Sequence, residues 1–380
     1  MAKIQSRRWV WIVLALTLAL ILFIGYQRLL DARPQPPRVT LTRGPYLQSV
    51  TPDGVTMVWE TDIPGDSRVD YGPSTSPRFS VKSSEPVTRH VLTLTGLEPY
   101  TMVHYRVFTN RWPLWNEGTF RTAATPSQTV FSFAVFGDTR SNPIAHQQVV
   151  SSVLALAPDL VLHTGDYVEN GLIPENWTTF FTVEQKLLSQ TPLYGVMGNH
   201  ESDSPLYLDA FYFPGNKLWY SFDYGNIHFV ALYAEKATPE EDPWLANDLA
   251  QTRQPWKVVF LHYPLYSSGE HGGEAALRKQ LEPVFIKYGV DLVLCGHDHD
   301  YERLVVKDIV YIVAGGGGAP LYPAEHPDPN SAYFTSTHSS VHIAVDGLQL
   351  NIAAVRSDGV QFDPFALRKA SPADRAVVIR

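Results

Sequence analysis

The stretch Val290-Asp291-Leu292-Val293-Leu294-Cys295 runs straight into Gly296-His297-Asp298-His299-Asp300. Its first half is short, apolar and rich in branched residues, which reads as a buried strand. Two imidazoles one residue apart at the exit of such a strand are suited to holding a metal ion. Four other apolar runs end in the same way. Phe131-Ser132-Phe133-Ala134-Val135-Phe136 leads to Gly137-Asp138-Thr139-Arg140, and Leu160-Val161-Leu162-His163-Thr164 leads to Gly165-Asp166. Leu193-Tyr194-Gly195-Val196-Met197 leads to Gly198-Asn199-His200-Glu201, and Val258-Val259-Phe260-Leu261 to His262-Tyr263-Pro264. Ligands collect beyond the carboxyl ends of strands in open sheets. Five strand ends therefore deliver Asp, Asp, Asn-His, His and His-x-His to one place. A glycine precedes four of them, where it permits a sharp exit from the strand. Oxygen and imidazole donors without thiolate suit zinc, iron or manganese. There are more of them than one tetrahedral ion needs, and two ions sharing a bridging carboxylate would use them, an arrangement suited to phosphoryl-transfer hydrolysis.

From residue 126 onward strand-like runs alternate with helical ones, such as residues 146–156 and 275–288, which predicts an α/β architecture. Residues 220–224 and 227–233 flank Gly225-Asn226 as a hairpin, and residues 341–345 and 348–353 flank Asp346-Gly347 as another. The expected fold is two mixed sheets packed face to face with flanking helices over residues 126–356. Residues 357–380 form a tail without pattern, expected to be loose from Ser371. Ahead of this domain, residues 38–125 contain short alternating runs separated by turns. Examples are Val55-Thr56-Met57-Val58-Trp59-Glu60 and Met102-Val103-His104-Tyr105-Arg106-Val107-Phe108. They predict a small β-sandwich with Trp59 and Tyr105 in its core.

In residues 1–37, Lys3, Arg7 and Arg8 precede an uncharged, mostly apolar stretch over residues 9–27. At about 1.5 Å per residue in a helix it covers roughly the 30 Å hydrocarbon core. It predicts a single uncleaved transmembrane helix with its amino terminus in the cytoplasm. The remainder would lie outside the cytoplasm, in the cell envelope or beyond it. Arg33-Pro34-Gln35-Pro36-Pro37 reads as a stiff spacer. A chain of 380 residues has room for two domains and a large core. A net charge of -8 without a Lys/Arg-rich run argues against nucleic-acid binding. Cys295 is the single cysteine, which excludes an intrachain disulfide and a cysteine-based zinc site.

Taken in order, Gly137-Asp138, Gly165-Asp166, Gly198-Asn199-His200-Glu201, His262 and Gly296-His297-Asp298-His299 resemble the blocks of the calcineurin-like metallophosphoesterases. With Asp300-Tyr301-Glu302-Arg303 behind the last block, the chain is most similar to the purple acid phosphatases, which also carry an amino-terminal fibronectin-like domain. The order Trp59, then Leu94-Thr95-Gly96-Leu97-Glu98-Pro99-Tyr100, then Tyr105-Arg106-Val107 resembles such a fibronectin type III domain. This resemblance covers residues 38–355. It implies Asp138, Asp166 and His299 around one metal ion, with Asp166 bridging to a second ion held by Asn199, His262 and His297. The ions implied are iron, zinc or manganese. It further implies that His200 contacts the phosphoryl group and assists the leaving oxygen, that Glu201 orients the loop, and that His271 contacts substrate.

Two positions depart from the family pattern. Purple acid phosphatases place a tyrosine ligand three residues after the bridging aspartate, where Glu169 stands here. Other metallophosphoesterases use a histidine two residues after the first aspartate, where Arg140 stands. Arg140 is expected either to clamp a phosphate oxygen, since guanidinium matches that geometry, or to form a structural ion pair. The activity expected is hydrolysis of phosphomonoesters, acting on a phosphorylated small molecule or nucleotide. Phosphodiester or nucleotide pyrophosphate hydrolysis at the same centre is the alternative. A degenerate site in a surface binding protein is another, and no protein partner can be named from the sequence.

Overall fold

The computed structural model describes residues 14–27, 38–236 and 238–379. The chain divides into two compact units, Met1–Val39 and Thr40–Arg380. In the first, residues 14–27 are helical with exposed side chains. These fourteen residues reach about 21 Å at helical rise, short of a bilayer core. The span expected over residues 9–27 lies partly outside the described residues. Among the described residues no helix is long and apolar enough to cross a membrane.

The second unit begins with five strands, Leu41–Thr51, Gly54–Gly72, Phe79–Thr95, Met102–Thr109 and Trp112–Arg121. Hydrogen bonding joins them in a single sheet rather than in the two separate sheets of the expected sandwich. The reason is the length of Gly54–Gly72. Its first part pairs with Leu41–Thr51 and its last with Met102–Thr109, and the register slips between Glu60 and Ser67. Such an irregularity bends a strand and lets it serve two neighbours. Trp59 is fully buried, stacks on His90 with ring centroids 4.8 Å apart, and donates its indole N–H to Thr109 Oγ1 at 3.1 Å.

Two seven-stranded sheets follow. One runs Val377–Ile379, Gln361–Arg368, Gln349–Arg356, Ser339–Asp346, Val130–Phe136, Leu160–His163, Leu193–Gly195. The other runs Ser331–Thr335, Tyr301–Val306, Ile309–Ala314, Leu292–Cys295, Trp256–Phe260, Ile227–Ala231, Tyr220–Tyr224. Both are mixed. The strands that lead to the candidate ligands pair in parallel, Val130–Phe136 with Leu160–His163 and Trp256–Phe260 with Leu292–Cys295. Strands of that kind are covered on both faces, which is why their sequences are continuous apolar runs and do not alternate. The sheets face each other across rings such as Phe133 and Phe229, edge to face at 5.2 Å. Each fully buried ring of that size contributes roughly 1.5–3 kcal/mol.

Helices cover the outer faces. Pro143–Leu156 starts at Asn142, whose side chain accepts from Ala145 N–H, with proline at its first position. Ala275–Tyr288 stops at Gly289, left-handed at φ 71°. The amino-terminal sheet is fastened to this domain by side chains. Tyr46 Oη donates to Ala210 O (2.7 Å), Tyr194 Oη to Val50 O (2.9 Å) and Gln185 Nε2 to Gly44 O (2.9 Å).

The carboxyl-terminal residues differ from expectation. Gln361–Arg368 and Val377–Ile379 are strands that extend the first sheet, and Phe365, Leu367 and Ala376 are buried. Arg303 pairs with Asp363 through Nε–Oδ2 (2.7 Å) and Nη2–Oδ1 (2.8 Å), while Lys369 Nζ reaches Asp291 Oδ2 at 2.8 Å. Both pairs join this segment to the second sheet.

Candidate metal centre

Parallel pairing sets the strand ends level. Phe136 lies beside His163, and His163 beside Gly195, so Asp138, Asp166 and Asn199 emerge together from one sheet. Phe260 beside Leu294 brings out His262 and His297 from the other. The sharp exits are made by the ligand residues themselves. Asp138 (φ 57°), Asp166 (φ 55°) and His297 (φ 71°) all lie in the left-handed region, where a non-glycine residue is strained and is held by its surroundings. The glycines have a different duty, which is close approach. A Cβ on Gly198 would lie 2.3 Å from Asp166 Oδ1, and one on Gly296 would lie 2.5 Å from Asp138 Oδ2. The run Gly315-Gly316-Gly317-Gly318 packs against the same turn, with Gly317 N–H donating to Gly137 O and Ala319 N–H to Asp138 O.

One ligand atom from each of Asp138, Asp166 and His299 lies within 4.8 Å of the others, and all three side chains are buried. On the other side of Asp166, His262 Nε2 is 3.5 Å from Oδ1 and 3.0 Å from Asn199 Oδ1. The His297 ring stands 5.1 Å from that of His262, and its backbone N–H donates to Asp138. The histidine rings are fixed from behind. His262 Nδ1 donates to Thr164 O (2.8 Å) and His299 Nδ1 to Pro320 O (2.6 Å). Each Nε2 is thereby left with its lone pair toward the centre, which is how ligating imidazoles are oriented.

The electrostatics fit a cationic occupant. Burial, then the Asp166 charge, pushes the Asp138 carboxyl well above the usual carboxylate range. Two buried carboxylates side by side are unfavourable without a neutralising positive charge. Burial pushes His297 down to about 2 and His299 down to about 4, and it also lowers His262. Neutral imidazoles and crowded carboxylates are the donors that zinc, iron and manganese take.

Glu201 holds the loop. Its carboxylate accepts from the N–H groups of Asp166 (2.9 Å), Tyr167 (2.9 Å) and Gly198 (2.8 Å). His200 Nδ1 donates to Glu169 O (2.7 Å), which puts its Nε2 3.8 Å from Asp166 Oδ2. His271 is held by Asp298, through both backbone N–H and Nδ1 at 2.9 Å, with its ring 4.3 Å from His297. Arg140 Nε lies 3.3 Å from Asp166 Oδ2, Nη2 lies 3.3 Å from His299 Nε2, and Nη1 reaches Glu169 Oε2 at 3.3 Å. The structure thus places Arg140 in an ion-pair network, and Glu169 is its outer partner.

Three neighbours were not singled out from the sequence. Tyr322 stacks on His299 at 4.0 Å, and Tyr263 meets His297 edge-on at 4.4 Å. Glu235, raised to about 8 by burial and then by Asp166, lies 3.4 Å from Tyr263 Oη. Tyr263 directly follows a ligand and could have been noticed on that ground. Tyr322 and Glu235 come from irregular loops that carry no periodic signal.

Tyr167 is turned away from the centre. Its ring stacks on His163 at 3.8 Å and packs against Phe180, Tyr207 and Phe211. With Glu169 at the position where purple acid phosphatases supply a tyrosinate, the iron-loaded protein should show no tyrosinate-to-iron band in its visible absorption spectrum. The appearance of such a band would overturn this assignment.

Residues 131–301 match the calcineurin-like phosphoesterase family. That range holds every candidate ligand described above, so this part of the chain is similar to the calcineurin-like phosphoesterases. Among relatives, the chain is 33% identical over 295 residues to purple acid phosphatase 15 of Arabidopsis thaliana, covering 63% of this chain and 55% of that protein. It is 28% identical over 302 residues to human acid phosphatase type 7, covering 67% and 68%. The chain thus spans little more than half the length of the Arabidopsis protein. The purple acid phosphatase PPD1 of yellow lupin shares its fold, with a TM-score of 0.74 at 22% identity over 85% of this chain and 74% of that one. PhoD also shares it, with a TM-score of 0.70 at 13% identity over 88% and 92%.

Proposed function

We propose that the chain hydrolyses phosphomonoesters with water at a two-metal centre, as an acid phosphatase-like enzyme. The observation that carries this reading is the convergence of Asp138, Asp166 and His299 within 4.8 Å, with His262 beyond Asp166. Asp138, Asp166 and His299 would hold one ion, and Asp166, Asn199, His262 and His297 the other. Ions so held supply neutralisation of phosphoryl charge and activation of water. The chain's own residues do the rest. His200, anchored through Nδ1, carries the proton on Nε2 that goes to the departing oxygen. His271, oriented by Asp298, offers Nε2 to a phosphoryl oxygen. Arg140 adds a fixed positive charge beside the phosphoryl position and keeps Asp166 and Glu169 in place. Tyr263 and Tyr322 wall the site and limit water around it. A degenerate binding protein would have no need for ligand imidazoles anchored so consistently from behind.

The test is turnover of phenyl phosphate and of diphenyl phosphate by the full-length chain, with elemental analysis of the same sample. Faster monoester hydrolysis with two ions per chain is expected. Preference for the diester would transfer the reading to phosphodiesterase chemistry. No turnover of either ester by a chain holding two ions would sink it.

A further inference from the structure

The three candidate imidazole ligands are not held alike. His262 and His299 each donate Nδ1 to a backbone carbonyl, of Thr164 and of Pro320. The His297 ring makes no hydrogen bond among the described residues, and only its backbone N–H does, to Asp138. A ligating imidazole ordinarily has its second nitrogen anchored, and such outer partners are worth about 10–100-fold in metal affinity. What restrains His297 instead is packing. The rings of His271 (centroids 4.3 Å apart), Tyr263 (4.4 Å) and His262 (5.1 Å) stand around it. Two of these are themselves tied down by hydrogen bonds, His271 by Asp298 (2.9 Å) and His262 by Thr164 (2.8 Å).

The third, Tyr263, is tied by Glu235, to whose Oε2 its hydroxyl donates at 3.4 Å. Glu235 Oε1 is buried and has no partner among the described residues, so this hydroxyl is the one hydrogen-bonding group there that its carboxyl meets. Burying a carboxyl costs free energy unless it is satisfied, and a single long contact does not make Glu235 a stabiliser of the fold. Its placement is nevertheless fixed. Tyr233 and Lys236 on either side of it both bond to Asp203, in the loop that follows His200, and Tyr233 N–H donates to Glu241 Oε1 at 2.7 Å. The parallel pairing of Ile227–Ala231 with Trp256–Phe260 brings this segment out beside His262 and Tyr263.

We infer that Tyr263 is a positioning residue for the second ion: its ring sets the His297 imidazole, and Glu235 holds that ring through the hydroxyl. This inference rests on the two-metal reading above. The effect is confined to the ion that His297 would hold.

The experiment is calorimetric titration of zinc into the full-length chain after chelation, in the wild type and in variants. Tyr263→Ala is expected to weaken the second ion about tenfold or more and to leave the first as it was. Tyr263→Phe keeps the ring and Glu235→Leu removes the acceptor. Each should weaken the second ion about fivefold, and the two together no more than either alone. The metal-free Glu235→Leu variant should unfold thermally at or above the wild-type midpoint, a combination that a merely structural residue does not give. Second-ion binding unchanged in Tyr263→Ala overturns the inference, as does a double variant whose loss is the product of the single losses. If the wild type takes up fewer than two ions, the two-metal reading fails first. The positioning role is then decided on the metal-free chain from the NMR ring signals of His297, identified by their loss in His297→Gln. Signals that shift or broaden in Glu235→Leu, which leaves every ring in place, support it, and unchanged signals remove it.

Discussion

Asp166→Asn should reduce phosphomonoester turnover by about a thousandfold or more and lower the metal content of the purified chain. The size follows from the role. Asp166 is the one side chain shared by both proposed ligand sets, and loss of metal-based charge stabilisation amounts to several kcal/mol, with each 1.36 kcal/mol about tenfold in rate. Asparagine keeps the shape and one acceptor, so His200 N–H, which donates to Asp166 Oδ1 at 3.0 Å, retains a partner. The loop should therefore stay in place while the bridge is lost. Elemental analysis beside steady-state kinetics separates the two effects. Turnover within about tenfold of wild type, with both ions retained, would show that Asp166 does not bridge.

Arg303→Ala should destabilise the fold strongly although it lies outside the centre. Arg303 is 3% exposed and grips Asp363 through two short contacts, with Tyr301 Oη donating to the same carboxylate at 2.8 Å. Its guanidinium also covers the Phe365 ring at 4.6 Å. Removing one partner leaves a buried carboxylate uncompensated, which costs about 3–5 kcal/mol. Denaturant unfolding monitored by tryptophan fluorescence would read the loss. The double variant Arg303→Ala with Asp363→Ala should recover part of it, because no charge is then stranded. A loss of less than about 1 kcal/mol in the single variant would place this pair with exposed ones.

The parts of this molecule that could be read from its sequence are those where residue type and strand end coincide. An apolar run followed by Asp, Asn-His or His-x-His announces both the strand and the candidate ligand, because parallel strands buried on both faces need no alternation. The meeting of Asp138, Asp166, Asn199, His262, His297 and His299 at neighbouring strand ends was legible for this reason. The last strands were not. Gln361–Arg368 carries Pro364 in its interior, which argues against a strand. It is tolerated because Asp363 takes a positive φ of 45° and the register slips opposite Ala353. The same irregularity presents the Asp363 carboxylate to Arg303, a contact some sixty residues distant that no local pattern records. In the amino-terminal region the short alternating runs were visible, but the continuity of Gly54–Gly72 through Pro64 was not. There Pro64-Gly65-Asp66 resembles a turn between two strands. The ion-pair role of Arg140 depends on Asp166 and Glu169 arriving from one loop and His299 from another, distant in sequence.

The order of strands in the first sheet also bears on how the protein is made. Val130–Phe136, which presents Asp138, is hydrogen-bonded on one side to Ser339–Asp346. During synthesis the growing chain owns all its ligands once residue 299 has left the ribosome, yet the strand that orients Asp138 is still missing a neighbour. That neighbour is supplied some forty residues later, and its own outer neighbours, Gln349–Arg356 and Gln361–Arg368, later still. A prematurely terminated product ending just past His299 would carry every candidate donor atom without the strand that flanks the one presenting Asp138.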